Sequence, residues 1–590
     1  MKEALEKRLE EIVKKLTDKE VNTLLSIPKD ISKGDFTSNV AFQIGKSSGK
    51  NPMDVAREIT AEFASMSSEL SLEKVEAAAP GFINFYLSTQ SLSENLQQVL
   101  KSPEKVAGIR NLAKYPKAIV EYSSPNIAKP FTVGHFRSTI IGDAIANLLE
   151  AVGYKVYRDN HLGDWGTQFG KQIYAIKTWG NEQEIEKSEN PVKNLVALYV
   201  KFHEEAEKDP ELEERAREWF KKLEDGDPEA RRLWQKCIDW SFKEFDRIYK
   251  ELGVSFTENG GRGYGEAFFE GKMEPIIKEL EEKGLVKTDK GAKLVFFPND
   301  KYPPLMVIKQ DGATLYATRD LATDKFRLEH YGKDILVINE VGMEQSLYFK
   351  QLFETEYMLG WYTPGQRVHV GHGLFRFKEG KMSTRKGNVI WLDEVLDEAE
   401  KRAQNLSKGS LGIAKEVAMG ALKWNDLKRS AHMDVTFDWD EILTMNGNSG
   451  PYVQYAYTRT QSVLKKADNN VILGSAATPE SNSKKDSGQA RMTDVLSPDY
   501  TPSSEELNLL RKLVQFAPTV EEAVEKYAPN VVCEYLFELA QMFNNFYQKH
   551  RILNAEKDVE KRFRLGLTEG VGIVLKQGLN LLGIQAPEKM

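Results

Sequence analysis

The sequence predicts an α/β protein: a parallel-sheet domain carrying a helical insertion, preceded by a small α+β unit and followed by an all-α part. Three observations carry this. KAIVEYS (117–123) is a short β-rich run, a helical pattern of Ile140, Ile141, Ala144, Ile145, Leu148, Leu149 and Val152 follows, and KVYRDNHL reads as the next strand. Strand, helix and strand at this spacing make a βαβ unit, and hence a parallel sheet. Residues 181–250 are highly charged and helical, as in DPELEERAREWFKKLEDGDPEA. From about 445 to 590 the pattern is almost wholly helical, with NLLRKLVQF, VVCEYLFELAQMFNNFYQKH and GVGIVLKQGLNLL.

Along the chain, residues 1–112 form the α+β unit. Leu5, Leu9, Ile12, Val13 and Leu16 recur at helical spacing. APGFINFYLS alternates Phe82, Asn84 and Tyr86 against Ile83, Phe85 and Leu87 after a Pro80-Gly81 turn, and so reads as a strand. Residues 113–400 hold the parallel sheet. Gly153 suits the C-terminal cap of the first crossover helix, and LVFF (294–297) and DILVIN (334–339) supply further buried strands. Residues 401–444 read as a connecting helical region. Within 445–590, the stretch 475–504 is rich in Ser, Pro, Asp and Lys and reads as a mobile surface loop.

Composition narrows the function classes. The 590 residues are 41% hydrophobic and 29% charged, which suits a globular protein with real cores. A net charge of −7 excludes a uniformly basic nucleic-acid coat, while 81 Lys and Arg leave room for local basic grooves. Two distant cysteines, Cys237 and Cys533, give no disulfide framework. The eight histidines show neither HExxH nor Cys/His ligand spacing, so no structural zinc is expected. MKEALEKRLEEIVKKL lacks the apolar run of a signal peptide, and no stretch of about 18 apolar residues occurs, so a cytoplasmic location without a membrane span is expected.

Four stretches can carry chemistry. In TVGHFRST, Gly134 lies between strand and helix, where a flat ring or a phosphate can approach backbone. The helix start adds unpaired N–H groups for an anion, and His135 can donate beside them. GKMSTRKGN (380–388) sets Lys381, Arg385 and Lys386 and two hydroxyls between glycines, a composition that can close over a polyphosphate. It lacks P-loop spacing. NHLGDWGTQFG (160–170) follows the second parallel strand, at the end of the sheet where ligands bind. In DGATLYATRDLATDK (311–325), Tyr316 and Asp320 share a face if the segment is helical, and together suit an organic cation.

Taken together, the Gly-His helix start and the later KMS loop resemble the two signatures of class I aminoacyl-tRNA synthetases. SSPNIAKPFTVGHFRSTIIGD, NHLGDWGTQFGKQI, DGATLYATRDLAT, KMSTRKGNVIWLDEVL and GPYVQYAYTR resemble arginyl-tRNA synthetases in that family's order, along the whole chain. The resemblance implies a Rossmann-like catalytic domain, an N-terminal domain on the tRNA elbow and a C-terminal anticodon-binding bundle. It implies a two-step reaction: L-arginine and ATP (with Mg2+) give arginyl-adenylate and pyrophosphate, and a ribose hydroxyl of the terminal adenosine of tRNA(Arg), the 2′-OH in class I, takes the arginyl group. A monomer is the family's usual state.

The resemblance also distributes roles. Lys129, Thr132, Gly134, His135, Lys381, Met382, Ser383, Arg385 and Lys386 fall on the ATP side. Thr132 stands where the family signature begins with histidine, Phe136 follows the second one, and Thr384 replaces the usual second lysine of the KMS loop. Lys129 is the suggested substitute cation, with Arg385 and Lys386 as alternatives. A guanidinium is planar, permanently charged and five-donor, so it wants carboxylates in fork geometry. Glu121 and Asp320 are the matching positions, with Tyr316 beside them. Asn126 and Gln345 would hold the α-amino end with Ser123 nearby, and His161, Asp164 and Gln168 would line the same pocket. Tyr452, Tyr455, Tyr547 and Met590 match the anticodon-reading region, where bases stack on rings. Another class I synthetase fits less well: the two cysteines argue against a cysteine-binding zinc, and the acidic pocket argues against an acidic substrate. A non-catalytic relative would have lost one signature, and another nucleotidyltransferase would have no use for the C-terminal helices.

Overall fold

The computed structural model describes residues 2–17, 21, 23–28, 30–64, 70–377, 391–406, 411–475 and 500–590. The helix Lys2–Thr17 buries Leu5, Leu9, Ile12 and Val13, while Leu16 stays at the surface. Strands β1 (Phe36–Ser38), β2 (Leu72–Ala78) and β3 (Phe82–Leu87) form an antiparallel sheet in the order β1-β3-β2. The expected alternation puts Ile83, Phe85 and Leu87 inside and Phe82 outside. Asn84 is buried as well, because its amide oxygen accepts from Thr37 Oγ1 at 2.8 Å.

Strands β4 (Lys117–Glu121) and β5 (Lys155–Asp159) flank the crossover helix Val133–Ala151. A Cβ on Gly142 of that helix would lie 2.2 Å from the Tyr122 side chain, so glycine lets helix and strand pack this closely. Gly153, with φ +100°, follows the helix and donates its N–H to Glu150 O.

The chain then leaves the sheet. Helices Gln168–Trp179, Glu182–Lys187, Pro191–Lys208, Glu211–Glu224 and Pro228–Leu252 make the insertion. A small antiparallel sheet follows, of β6 (Val286–Asp289), β7 (Ala292–Val295) and β8 (Leu305–Ile308). The LVFF run gives only part of the expected buried strand: Leu294 and Val295 belong to β7 of this small sheet, and Phe296 and Phe297 lie beyond it.

DILVIN forms most of β9 (Ile335–Gly342), and β10 (Arg367–His372) completes a four-stranded sheet in the order β10-β9-β4-β5, parallel throughout. The unbroken apolar run Ile335–Ile338 is what a parallel strand covered on both faces requires.

The connecting region starts earlier than read and is not wholly helical. Helices Leu392–Leu406 and Leu411–Leu427 lie between two short parallel strands, β11 (Phe375–Phe377) and β12 (Val435–Phe437). Helices Gly450–Ser475, Ser504–Val514, Phe516–Glu525, Pro529–Lys549 and Asp558–Leu581 form the C-terminal bundle. Most of the expected mobile stretch 475–504 lies outside the described residues. Its described end is held: Tyr500 donates to Glu506 and packs on Phe563, and Ser503 caps the following helix. Gln577 donates to the carbonyls of Pro103 and Lys105, joining the bundle to the chain that leads into β4.

Candidate active site

The site gathers at the carboxyl ends of β4, β5 and β9. Just after β4 the chain turns sharply, with positive φ at Ser123, Ser124 and Ala128. Asn126 bridges to Gly163 in the loop after β5, and a Cβ on Gly163 would lie 2.3 Å from Asn126 Oδ1. Glycine therefore allows the two loops to lie on one another.

Thr132 precedes the crossover helix. Its backbone N–H donates to His135 Nδ1 at 3.0 Å, which leaves the proton on Nε2. Burial lowers the His135 pKa to about 4, and Lys129 and His372 push the same way. Lys129 is half-buried; burial lowers its pKa and Glu266 opposes. A Cβ on Gly134 would meet only Thr132 Oγ1, at 3.5 Å, so the helix start has room for a ligand at its backbone. Lys381, Met382, Ser383, Arg385 and Lys386 lie outside the described residues. Immediately after them, Trp391 bridges to Thr132 and Leu392 N–H donates to Phe131 O. The chain thus returns from that segment against the Gly-His helix start.

A cavity of about 270 Å³ is lined in part by Ser124 and Asn126, in the loop that leads from β4 to this helix. Six of the residues expected to read arginine line it: Glu121, Asn126, His161, Tyr316, Asp320 and Gln345. The helix Tyr316–Tyr331 confirms the geometry conditional on helicity, placing Tyr316 and Asp320 one turn apart on the cavity side. Tyr348 Oη donates to Asp320 Oδ2 at 2.5 Å, and His161 Nε2 lies 3.9 Å from Asp320 Oδ1. Burial raises the Asp320 pKa to about 6 against the opposing pull of His161 and Tyr348. Glu121 is the opposite case. Burial alone would raise its pKa, but Arg327, His161 and Asn339 outweigh that and hold it down to about 2.

Three expected residues are placed elsewhere. The Ser123 hydroxyl is turned into the core, bonded to Tyr249 Oη at 2.8 Å and to Thr139; its neighbour Ser124 lines the cavity instead. Asp164 accepts from Ala267 N–H at 2.8 Å, bracing the loop that carries Glu266. Gln168 Nε2 donates to Trp165 O at 3.2 Å. The sequence reading missed Glu266, Arg327, Asn339 and Tyr348, all of which line the cavity. Arg327 was within reach, since it stands seven residues after Asp320 on the same helix.

In the bundle, Tyr455 and Tyr547 are 38% and 39% exposed. The Arg459 guanidinium lies between their rings, 4.8 Å from each centroid. Tyr452 instead packs on Phe537. Met590 is half-buried and packs on the core of the bundle.

Comparisons with known proteins name the family. Residues 95–439 match the family described as tRNA synthetases class I (R), catalytic domain. Residues 1–87 match the arginyl tRNA synthetase N-terminal domain, and residues 453–590 the DALR anticodon binding domain. The chain is 40% identical over 582 residues to the arginine–tRNA ligase of Clostridium perfringens, covering 97% of this chain and 96% of that one. It is 40% identical over 588 residues to that of Streptococcus uberis, covering 98% of each. Its fold is similar to arginyl-tRNA synthetase from Plasmodium falciparum, with a TM-score of 0.80, 23% identity and coverage of 100% of this chain and 99% of that one. The same holds for Thermus thermophilus arginyl-tRNA synthetase, with a TM-score of 0.77, 23% identity and full coverage of both chains. Family matches spanning most of the chain, at the residues that build the site, establish that it belongs to the arginyl-tRNA synthetases.

Proposed function

We propose that this chain is an arginine–tRNA ligase whose two chemical steps take place at the carboxyl ends of β4 and β9. The observation that carries the reading is the acidic 270 Å³ cavity holding Glu121 and Asp320, lined also by Ser124 and Asn126 of the loop that runs from β4 to the Gly134-His135 helix start. The cavity suits a guanidinium and the helix start a phosphate.

In the first step an oxygen of the arginine carboxylate forms a bond to the α-phosphorus of ATP, and the bond to the pyrophosphate oxygen breaks. The attacking carboxylate is already ionised at pH 7, so no protein base or covalent nucleophile is required. The protein's contribution is to position the reactants and stabilise charge on the phosphates. His135 offers Nε2–H, the helix start offers N–H groups, and Lys129 supplies a nearby cation. In the second step the 2′-OH of the terminal adenosine of tRNA(Arg) attacks the arginyl carbonyl and AMP leaves. ATP enters with Mg2+ as its counter-ion, and the enzyme works as a monomer in the cytoplasm.

Within the cavity, Asp320 and Glu121 read the guanidinium with Tyr316 at the mouth, and Asn126 and Gln345 take the α-amino end. The first part, 1–112, takes the tRNA elbow and the last part, 445–590, the anticodon. Pyrophosphate exchange, measured for each amino acid with and without tRNA(Arg), tests the reading. Exchange driven by arginine is expected; exchange driven by lysine, or none with arginine even when tRNA is present, would overturn it.

A further inference from the structure

The helix Tyr316–Tyr331 brings a buried cation to the cavity that is not among the expected arginine ligands. Arg327 is 2% exposed. Its Nη2 donates to Glu121 and, at 2.9 Å, to Asp159 Oδ2, and its Nη1 donates to Asp324 Oδ1 at 3.1 Å. The other oxygen of Glu121 accepts from Asn339 Nδ2 at 3.0 Å. Arg367 continues the network, donating twice to Asp324 at 2.7 Å and once to Asn339 Oδ1 at 3.3 Å. Both carboxylate oxygens of Glu121 are thus clamped from different elements: Arg327 from the helix and Asn339 from β9. Each oxygen keeps a second lone pair for another donor.

We propose that Arg327 is the positioning residue of the arginine pocket: an internal guanidinium that locks the Glu121 carboxylate, so that the incoming guanidinium meets it in one fixed orientation. This deepens the reading above and rests on Glu121 lining the substrate pocket. A purely structural role explains the network poorly. A buried ion cluster carries a desolvation cost that well-packed apolar residues of the same volume avoid. Four of its members, Glu121, Asp324, Arg327 and Asn339, border the cavity, and the buried Asp159 and Arg367 anchor them from behind. Orientation is what fork recognition needs, because a carboxylate free to rotate offers a planar guanidinium no defined pair of acceptors.

The test is steady-state aminoacylation of tRNA(Arg) by the full chain, with arginine and ATP varied separately. Arg327→Lys keeps the charge and removes the fork. It is expected to raise the arginine KM at least tenfold and leave the ATP KM within twofold. Glu121→Gln is expected to raise the arginine KM as well, and the double variant should resemble Glu121→Gln alone, because Arg327 acts through Glu121. A folded Arg327→Lys with arginine KM within twofold of the parent, or effects that simply multiply in the double variant, would overturn the proposal. If Glu121→Gln leaves the arginine KM unchanged, the pocket assignment fails and the proposal with it. If Glu121→Gln raises it and Arg327→Lys does not, the proposal fails alone. Should Arg327→Lys not fold, Asp159→Asn decides. It removes one anchor of Arg327 without touching the cavity lining, and is expected to raise the arginine KM about threefold; no change would count against Arg327.

Discussion

The backbone N–H of Thr132 donates to Nδ1 of His135 across 3.0 Å, and this one bond sets what the histidine can do. An amide nitrogen only donates, so Nδ1 is the bare nitrogen and Nε2 carries the proton. With its pKa lowered to about 4, the ring stays neutral through the physiological range and acts as a fixed donor, not as an acid or base. His135→Ala should slow arginine activation by about a hundredfold, the loss typical of one donor to developing charge. The residual rate should keep the parent's pH profile between pH 5 and 8. Disappearance of a step from that profile would mean that the imidazole titrates during turnover.

Asp320 gives the opposite expectation. Its pKa is raised to about 6, and only the ionised form pairs with a guanidinium. Binding should therefore weaken as pH falls through 6, with the arginine KM about tenfold higher at pH 5 than at pH 7 while the ATP KM stays flat. The sign for stability is reversed. A carboxyl with a raised folded-state pKa stabilises the free protein below the unfolded value, and that contribution is lost as pH rises through 6. Added arginine should thus raise the thermal midpoint more at pH 7 than at pH 5. Asp320→Asn should remove the part of the pH dependence centred near 6, leaving that of His161, where the lowering effect of burial is outweighed by the neighbouring Glu121 and Asp320 and the pKa is raised.

How far the site could be read in advance is visible in its residues. The β4–helix–β5 unit was legible because its apolar patterns are long and the two strand runs lie at crossover distance. Glu121, Asn126 and Asp320 were legible because they stand inside motifs. LVFF was legible only in part, since a short apolar run signals a strand without fixing where it ends. Which of Ser123 and Ser124 borders the cavity was not legible, because both have left-handed φ and no periodicity encodes that. The clamp on Glu121 was invisible because Arg327 lies 206 positions away in sequence.

Lys129 is the expected substitute for the cation that Thr384 removes from the KMS loop. It lowers the pKa of His135 through space, so it shares that residue's surroundings. Lys129→Ala should depress arginine activation far more than Lys386→Ala in pyrophosphate exchange. The reverse order would assign the role to the loop.

Gly583 ties the C-terminal tail to the helix Leu411–Leu427. The buried Lys423 ammonium donates to Gly583 O at 2.5 Å and to Leu252 O at 2.6 Å. Gly583 has φ +65°, and a Cβ there would lie 2.8 Å from Asp143 Oδ2 and 3.1 Å from Lys423 Nζ. Gly583→Ala should cost about 1–2 kcal/mol from the left-handed backbone, plus the displacement of the Asp143 carboxylate and the Lys423 ammonium that crowd the added methyl. Gly226→Ala is the control: its φ is +81° and a Cβ there meets nothing within 4 Å, so it carries the backbone cost alone. Calorimetry should show a larger drop for Gly583→Ala; equal drops would mean that the tail shifts freely around the added methyl.

The last expectation concerns the rings of the bundle. Tyr455 and Tyr547 flank Arg459 and keep exposed edges, whereas Tyr452 is spent on Phe537. A stacked base is worth roughly 1–3 kcal/mol on such a ring. Tyr455→Ala and Tyr547→Ala should each raise the tRNA(Arg) KM about fivefold or more, with the arginine KM unchanged. Tyr452→Ala should chiefly lower thermal stability, because it removes packing within the bundle. Arg459→Gln tests whether the sandwich prearranges the rings. If so, it should weaken tRNA binding by a similar factor, and combining it with Tyr455→Ala should add less than the product of the two single effects. A Tyr452→Ala variant that weakens tRNA binding more than Tyr455→Ala would move the base-reading surface to the other side of the helix Gly450–Ser475.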